Sequence, residues 1–227
     1  MKRNLILSGG VAHDYAKTSL MLSGVLEGVD VQSQILEDFD SISKEMLLSF
    51  DMVTLNCVRW TCSQAQVSPD WQDKWAFTLP EAAREGLLAF LAQGKGLLAL
   101  HAATICFDDW PLYREILGAW WEWGTSGHAP FQGHQMNVIE TSHPITKGIS
   151  DFTIQDELYI HARFTDSVSP LIEGEWEGQR HPMLWVRDFE QARVCYNALG
   201  HGVEAFEHPQ NRLLLKRGAL WVLKALG

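Results

Sequence analysis

The sequence predicts an α/β fold in which a mostly parallel central sheet is covered by helices. Three observations point there. Short apolar runs alternate with helix-length amphipathic segments, the run Gly96–Leu100 is apolar throughout as in a strand buried on both faces, and several runs end in turns carrying glycine and histidine. A chain of 227 residues, 46% hydrophobic and 20% charged, is long enough to bury a sizeable core without disulfides or metal, and residues 1–227 are read as one domain.

Asn4 to Ser8 is the first predicted strand. Its apolar stretch is far below the roughly 7–15 residues of a secretory segment or the about 20 of a membrane span, so a cytoplasmic protein with no membrane partner is expected. Gly9 to Asp14 is the turn after it, Ala16 to Glu27 a helix, Val31 to Leu36 a strand, Ser43 to Leu48 a short helix and Met52 to Cys57 a third strand. Val58 to Thr78, rich in Trp, Gln, Ser and Thr, follows neither period and is predicted as a long loop, the kind of segment that carries function. Pro80 opens a helix over Glu81 to Ala92, stopped at Gly94-Lys95-Gly96, and strand four then delivers His101 to the carboxyl edge of the sheet. Trp110 to Leu117 reads as a helix, Gly124 to Gly133 as a polar, glycine-rich segment and Met136 to Glu140 as a strand. Phe152-Thr153-Ile154 precedes the acidic pair Asp156-Glu157; Met183 to Val186 and Arg193 to Ala198 are strands, and Asn211 to Leu226 is a closing helix.

Composition excludes several functions. The formal charge of −10, with no run of Lys or Arg, lacks the basic footprint of a nucleic-acid binder. Cys57, Cys62, Cys106 and Cys195 are scattered without metal-knuckle spacing and read as reduced thiols. Gly9-Gly10 lacks the full dinucleotide fingerprint, and neither a P-loop lysine nor a Gly-x-Ser-x-Gly elbow is present.

In open α/β sheets ligands bind beyond the carboxyl ends of the strands, so the polar residues there are the candidates. His13, His101 and His201 each follow a predicted strand at a sharp turn. One such histidine is most often a hydrogen-bonded structural residue, but three at corresponding edges suit proton transfer or metal ligation. Asp156 and Glu157 are candidates to orient an imidazole, act as a base or complete a metal site, zinc for example, against the alternative of acids at a helix N-terminus. Seven tryptophans between Trp60 and Trp123 exceed what a plain core needs, and Trp60 is taken as a stacking wall for a ligand. If such rings are exposed, a homodimer is expected.

These blocks resemble a known family: Leu7-Ser8-Gly9-Gly10 with His13-Asp14-Tyr15, then Gly96 to Thr104 through Leu100-His101-Ala102-Ala103, then Trp110-Pro111 with Leu117-Gly118. His143 to Ile149, Asp156-Glu157-Leu158-Tyr159, His181 to Trp185, and Arg193-Val194 with Leu199-Gly200-His201 continue the pattern over nearly the whole chain. In this order they resemble the ThuA-like, or trehalose-utilisation, family. The resemblance implies a flavodoxin-like three-layer sandwich of the class I glutamine amidotransferase-like type and a role in using trehalose or related sugars. It also implies that His101 stands where true amidotransferases carry their nucleophilic cysteine, so thioester chemistry on glutamine is not expected. Between Trp121 and His143 the family pattern is altered, and either His128 or His134 is the counterpart of its histidine.

Three readings follow. The first is an enzyme acting on a small sugar, with His101, Glu157 and His201 as catalytic or metal-holding groups and His13, Asp14, Trp60, His128, His134 and Asp156 binding the ligand. The second is a non-catalytic binding or assembly module, in which His13, His101 and His201 do not converge. The third, an amidase using Cys106, needs that thiol within reach of a histidine.

Overall fold

The computed structural model of the chain describes residues 1–226. β1 (Lys2–Gly9), α1 (Tyr15–Glu27), β2 (Val31–Leu36), α2 (Lys44–Leu48) and β3 (Met52–Cys57) form the first units, and α3 (Pro69–Trp75) and α4 (Glu81–Ala92) lead into β4 (Gly96–Leu100). A 3-10 turn at His101–Ile105 is followed by α5 (Pro111–Leu117), β5 (Ala119–Trp120), β6 (Gly127–Val138), β7 (Phe152–Ile160), β8 (Arg163–Phe164), β9 (Ser169–Trp176), β10 (Gln179–Phe189) and β11 (Ala192–Asn197). α6 (Val203–Glu207) and α7 (Pro209–Val222) complete the order.

The central sheet runs β2-β1-β3-β4-β11-β10-β9-β6-β7, and β5 and β8 pair separately. β2, β1, β3, β4 and β11 are mutually parallel, whereas β10, β9, β6 and β7 are antiparallel neighbours. Every residue of β3 and β4 is buried, as a strand covered on both faces requires. The few polar side chains there are paired: Thr54 Oγ1 donates to Asn4 Oδ1 at 2.9 Å, and Asn56 Nδ2 donates to Ser19 Oγ at 2.9 Å, tying β3 to β1 and α1. At the seam between the two halves Trp185 of β10 lies opposite Tyr196 of β11, their rings stacked 3.9 Å apart, and the indole Nε1 donates to the Leu117 carbonyl at 3.0 Å.

The predicted parallel strands are found within a residue or two of their expected limits. Among the segments that differ, three bear on the site. The stretch 58–78 is not a loop throughout, because Ser68 caps and Pro69 opens α3, with the Ser68 hydroxyl accepting the Trp71 N–H. The glycine-rich stretch 124–133 is largely the first half of β6, whose pairing with β7 is interrupted by a bulge between Ala129 and Gln132. Pro130, which has no N–H to give to a ladder, sits in that bulge. Asp156 and Glu157 lie inside β7, not at a helix N-terminus.

Candidate functional site

The turn after β1 must pass close under its neighbour. Gly10 has φ +130°, and a Cβ there would fall 2.2 Å from the Val58 carbonyl oxygen, so only glycine fits. The turn delivers His13 one residue before Asp14, whose carboxylate caps α1 by accepting the Lys17 N–H at 3.1 Å. The turn after β4 is strained as well. His101 has φ +42°, a region that non-glycine residues rarely enter. It is held there by the Tyr196 hydroxyl, which donates to its carbonyl, and by its own Nδ1, 2.7 Å from the Ala198 carbonyl.

The third turn, after β11, is fastened by an acid from the other half of the sheet. Buried Asp156 accepts the N–H groups of Gly200 at 2.8 Å, His201 at 3.1 Å and Glu157 at 2.8 Å. Burial pushes its carboxyl up to about 7 against the pull of those three donors. Its neighbour Glu157, opposite the β6 bulge, reaches the histidines.

The result is a cluster. Ligand-capable atoms of His13, His101, His201 and Glu157 all lie within 4.8 Å of one another. His101 Nε2 and His13 Nε2 are 3.1 Å apart, Glu157 Oε2 is 3.1 Å from His201 Nδ1 and 3.7 Å from His101 Nε2, and Glu157 Oε1 is 3.2 Å from His128 Nδ1. The contact of His201 Nδ1 with Glu157 is close but misaligned, which leaves that buried nitrogen without a hydrogen-bond partner.

The hydrogen bonds hold both rings in place. A carbonyl can only accept, so His101 Nδ1, facing Ala198, carries that ring's proton; His13 Nδ1 lies 3.1 Å from the Val11 carbonyl, an acceptor, and 3.0 Å from the Tyr15 hydroxyl, which can accept or donate. His101 Nε2 therefore presents a lone pair to His13 Nε2, which presents one in return when the His13 proton sits on Nδ1 against the Val11 carbonyl. Burial, and for His101 the neighbouring His13, hold both imidazoles below their ordinary pKa. Glu157 raises the pKa of His201; burial opposes ionisation of Glu157, but His201 and His128 hold its carboxyl below the usual range.

This donor set fits a divalent metal. Two nitrogens each about 2.05 Å from a tetrahedral ion stand roughly 3.3 Å apart, close to the spacing between His13 and His101. Imidazoles that donate their other N–H to backbone carbonyls are also the usual form of metal-ligating histidine. The chemistry open to such a cluster is polarisation of a bound oxygen and proton transfer through the carboxylate and outer imidazole.

The remaining predicted residues divide. Trp60 is 4% exposed and forms one wall of a cavity that also includes His13. His128, with its side chain 49% exposed, contacts Glu157 from β6. His134 is elsewhere: its Nε2 is 2.8 Å from the Pro130 carbonyl and its ring packs on Trp176. Asp14 is an exposed helix cap and Asp156 a backbone fastener, and neither presents a free carboxylate to the cluster. Cys106 is buried, 3.8 Å from Cys57 Sγ and 3.4 Å from the Arg59 nitrogen, and no histidine is among its hydrogen-bonding contacts in the described residues. Sequence reasoning does not single out Tyr15, whose hydroxyl is 3.0 Å from His13 Nδ1, or Trp123, which stacks on Trp60 at 6.0 Å. The Tyr15 position, two residues past a candidate histidine, is a visible signal.

Among the described residues no helix is long and apolar enough to cross a membrane. Comparison with solved structures gives the same fold. A ThuA-like protein of Parabacteroides merdae superposes with a TM-score of 0.77 at 19% identity, over 98% of this chain and 90% of that one. A cytoplasmic protein of Salmonella typhimurium gives 0.70 at 14% identity, over 98% and 99%. A GMP synthase component of Thermoplasma acidophilum gives 0.59 at 12% identity, over 99% and 95%, which marks the glutamine amidotransferase-like fold. No curated protein matches the sequence. The model of the trehalose-utilisation family, ThuA, matches residues 3–222, and this chain belongs to that family.

Proposed function

We propose that the chain is a metal-dependent enzyme acting on a small sugar, with His13, His101, His201 and Glu157 holding one divalent ion at the carboxyl edge of the sheet. The observation that carries this reading is the convergence of His13, His101, His201 and Glu157, with ligand-capable atoms within 4.8 Å of one another and the Nε2 atoms of His13 and His101 only 3.1 Å apart. With the His13 proton on Nδ1, the two Nε2 atoms are bare acceptors that repel at that distance unless a cation lies between them. A non-catalytic module gives no reason for imidazoles from three separate turns to meet in this way.

A divalent ion bound there would polarise a sugar hydroxyl or carbonyl oxygen. The protein's own groups do the rest. Ala198 fixes the tautomer of His101, Val11 and Tyr15 hold the His13 ring, and Asp156 fixes the turn that carries His201. Half-exposed His128, against the second oxygen of Glu157, is placed to exchange a proton with solvent and pass it to the bound sugar. His101 occupies the strained turn, and buried Cys106 has no part in the reaction.

The test is metal analysis of protein purified without a metal-affinity tag, beside His13→Ala and His101→Ala. About one equivalent of a divalent ion in the wild type, lost in both variants without loss of helical signal, is expected. Wild-type protein that neither retains nor takes up zinc, manganese or iron at micromolar concentration would reject the metal reading.

A further inference from the structure

Next to the imidazole cluster is a cavity of about 440 Å³ whose walls include His13, Trp60, Trp71, Trp123, Val67 and Ile105. His13 belongs to both the cluster and the cavity, so a ligand in the cavity is contiguous with the cluster. Trp60 forms its buried wall; its Nε1 is already used, donating to Gln64 Oε1 at 3.1 Å. Trp123 lies nearly parallel to it, 27° between planes, and Trp71 closes a third side at 59° and is 43% exposed. Val11 and Val58 add further apolar surface.

Polar groups are few. The Ser68 hydroxyl accepts the Trp71 N–H as the cap of α3, and Gln66 and His13 are the other polar side chains in the lining. A second sugar ring brings several hydroxyls, each of which loses water on burial and needs a partner. This wall, with three such side chains among eleven lining residues, offers few. A flat apolar ring needs only surface, and three indoles offer it in quantity.

We propose that the substrate is a glycoside with an aromatic aglycone, its sugar at the His13–His101–His201–Glu157 cluster and its aglycone ring among Trp60, Trp71 and Trp123. This rests on reading the cluster as the reacting centre. A disaccharide would leave its second ring's hydroxyls unpaired in the cavity and is the poorer ligand.

Calorimetric titration of the full-length, zinc-loaded protein with phenyl and methyl glucosides of both anomers, and with trehalose, tests the proposal. A phenyl glucoside should bind at least about tenfold tighter than its methyl counterpart and than trehalose. Trp71→Ala, at an exposed position, should shrink that preference to under about threefold while metal content and melting temperature stay unchanged. Trehalose or a methyl glucoside binding as tightly as the phenyl compound, no binding by any of them, or a preference that survives Trp71→Ala would overturn it. A phenyl preference in protein that holds no metal would uphold the aromatic subsite and fail only the metal reading.

Discussion

The two halves of the sheet are built by different rules. In the parallel half, β2-β1-β3-β4-β11, strands are short and the turns after β1, β4 and β11 carry His13, His101 and His201. In the antiparallel half, β10-β9-β6-β7, strands are longer and bulged, and the outermost, β7, supplies Glu157 from its middle. One half contributes imidazoles from turns, the other a carboxylate from a strand. The cluster exists only where β7 comes back to the turn after β11, and Asp156 is the stitch that holds it there.

The sharpest way to break the parallel half is at its first turn. Gly10→Ala should cost roughly 4 kcal/mol or more in a denaturant titration, because the obstacle to a Cβ is the Val58 backbone, which cannot move aside. A loss below about 1 kcal/mol would show that the turn has more freedom than the geometry gives it. Next come the two contributions to the cluster. Zinc affinity should fall at least about 100-fold in His101→Ala, about tenfold in Glu157→Gln, and less than about threefold in His128→Ala, measured by competition with a chelator. Equal losses in all three would erase the distinction between ligands and the outer imidazole.

Asp156→Asn tests the stitch, and its effect has a sign. The folded carboxyl titrates near 7, well above its ordinary value of 3.8, so its stabilisation is fully present below that ordinary value and is lost as pH rises through 7. The stability advantage of the metal-free wild type over Asp156→Asn should therefore be greatest below about pH 4 and shrink steadily towards pH 7. An advantage that grows over the same window would mean that the folded carboxyl is ionised throughout. The smallest effect belongs to the antiparallel half. Gly174→Ala places a Cβ 2.4 Å from Leu158 Cδ1, the end of a flexible side chain that can turn away, and should cost about 1 kcal/mol. A cost matching that of Gly10→Ala would show that the two halves tolerate crowding alike.

The same contrast decides what can be read from the sequence. Continuous apolar runs such as Met52–Cys57 and Gly96–Leu100 mark buried parallel strands by composition alone, and the histidines that follow them are visible as residues at strand ends. β9 escapes such a reading, and the polar start of β6 reads as a loop, because their alternation is broken by Pro130, Gly133, Pro170 and Gly174. The acidic pair stands out in the sequence without a place in the fold, since a carboxylate reaching three histidines across a folded-back sheet edge leaves no spacing to follow. His128 and His134 are equally plausible in sequence. The bulge at Pro130 and the pairing of β6 with β7 put the first beside Glu157 and leave the second bonded to a backbone carbonyl.

The claim that four side chains from both halves share one ion is tested most directly by X-ray absorption at the zinc edge on the loaded protein, compared with Glu157→Gln. The account predicts a first shell of three imidazole nitrogens and one carboxylate oxygen at about 2.0–2.1 Å, with a water replacing the carboxylate in the variant. A shell with one imidazole or none, or one containing sulfur, would contradict it.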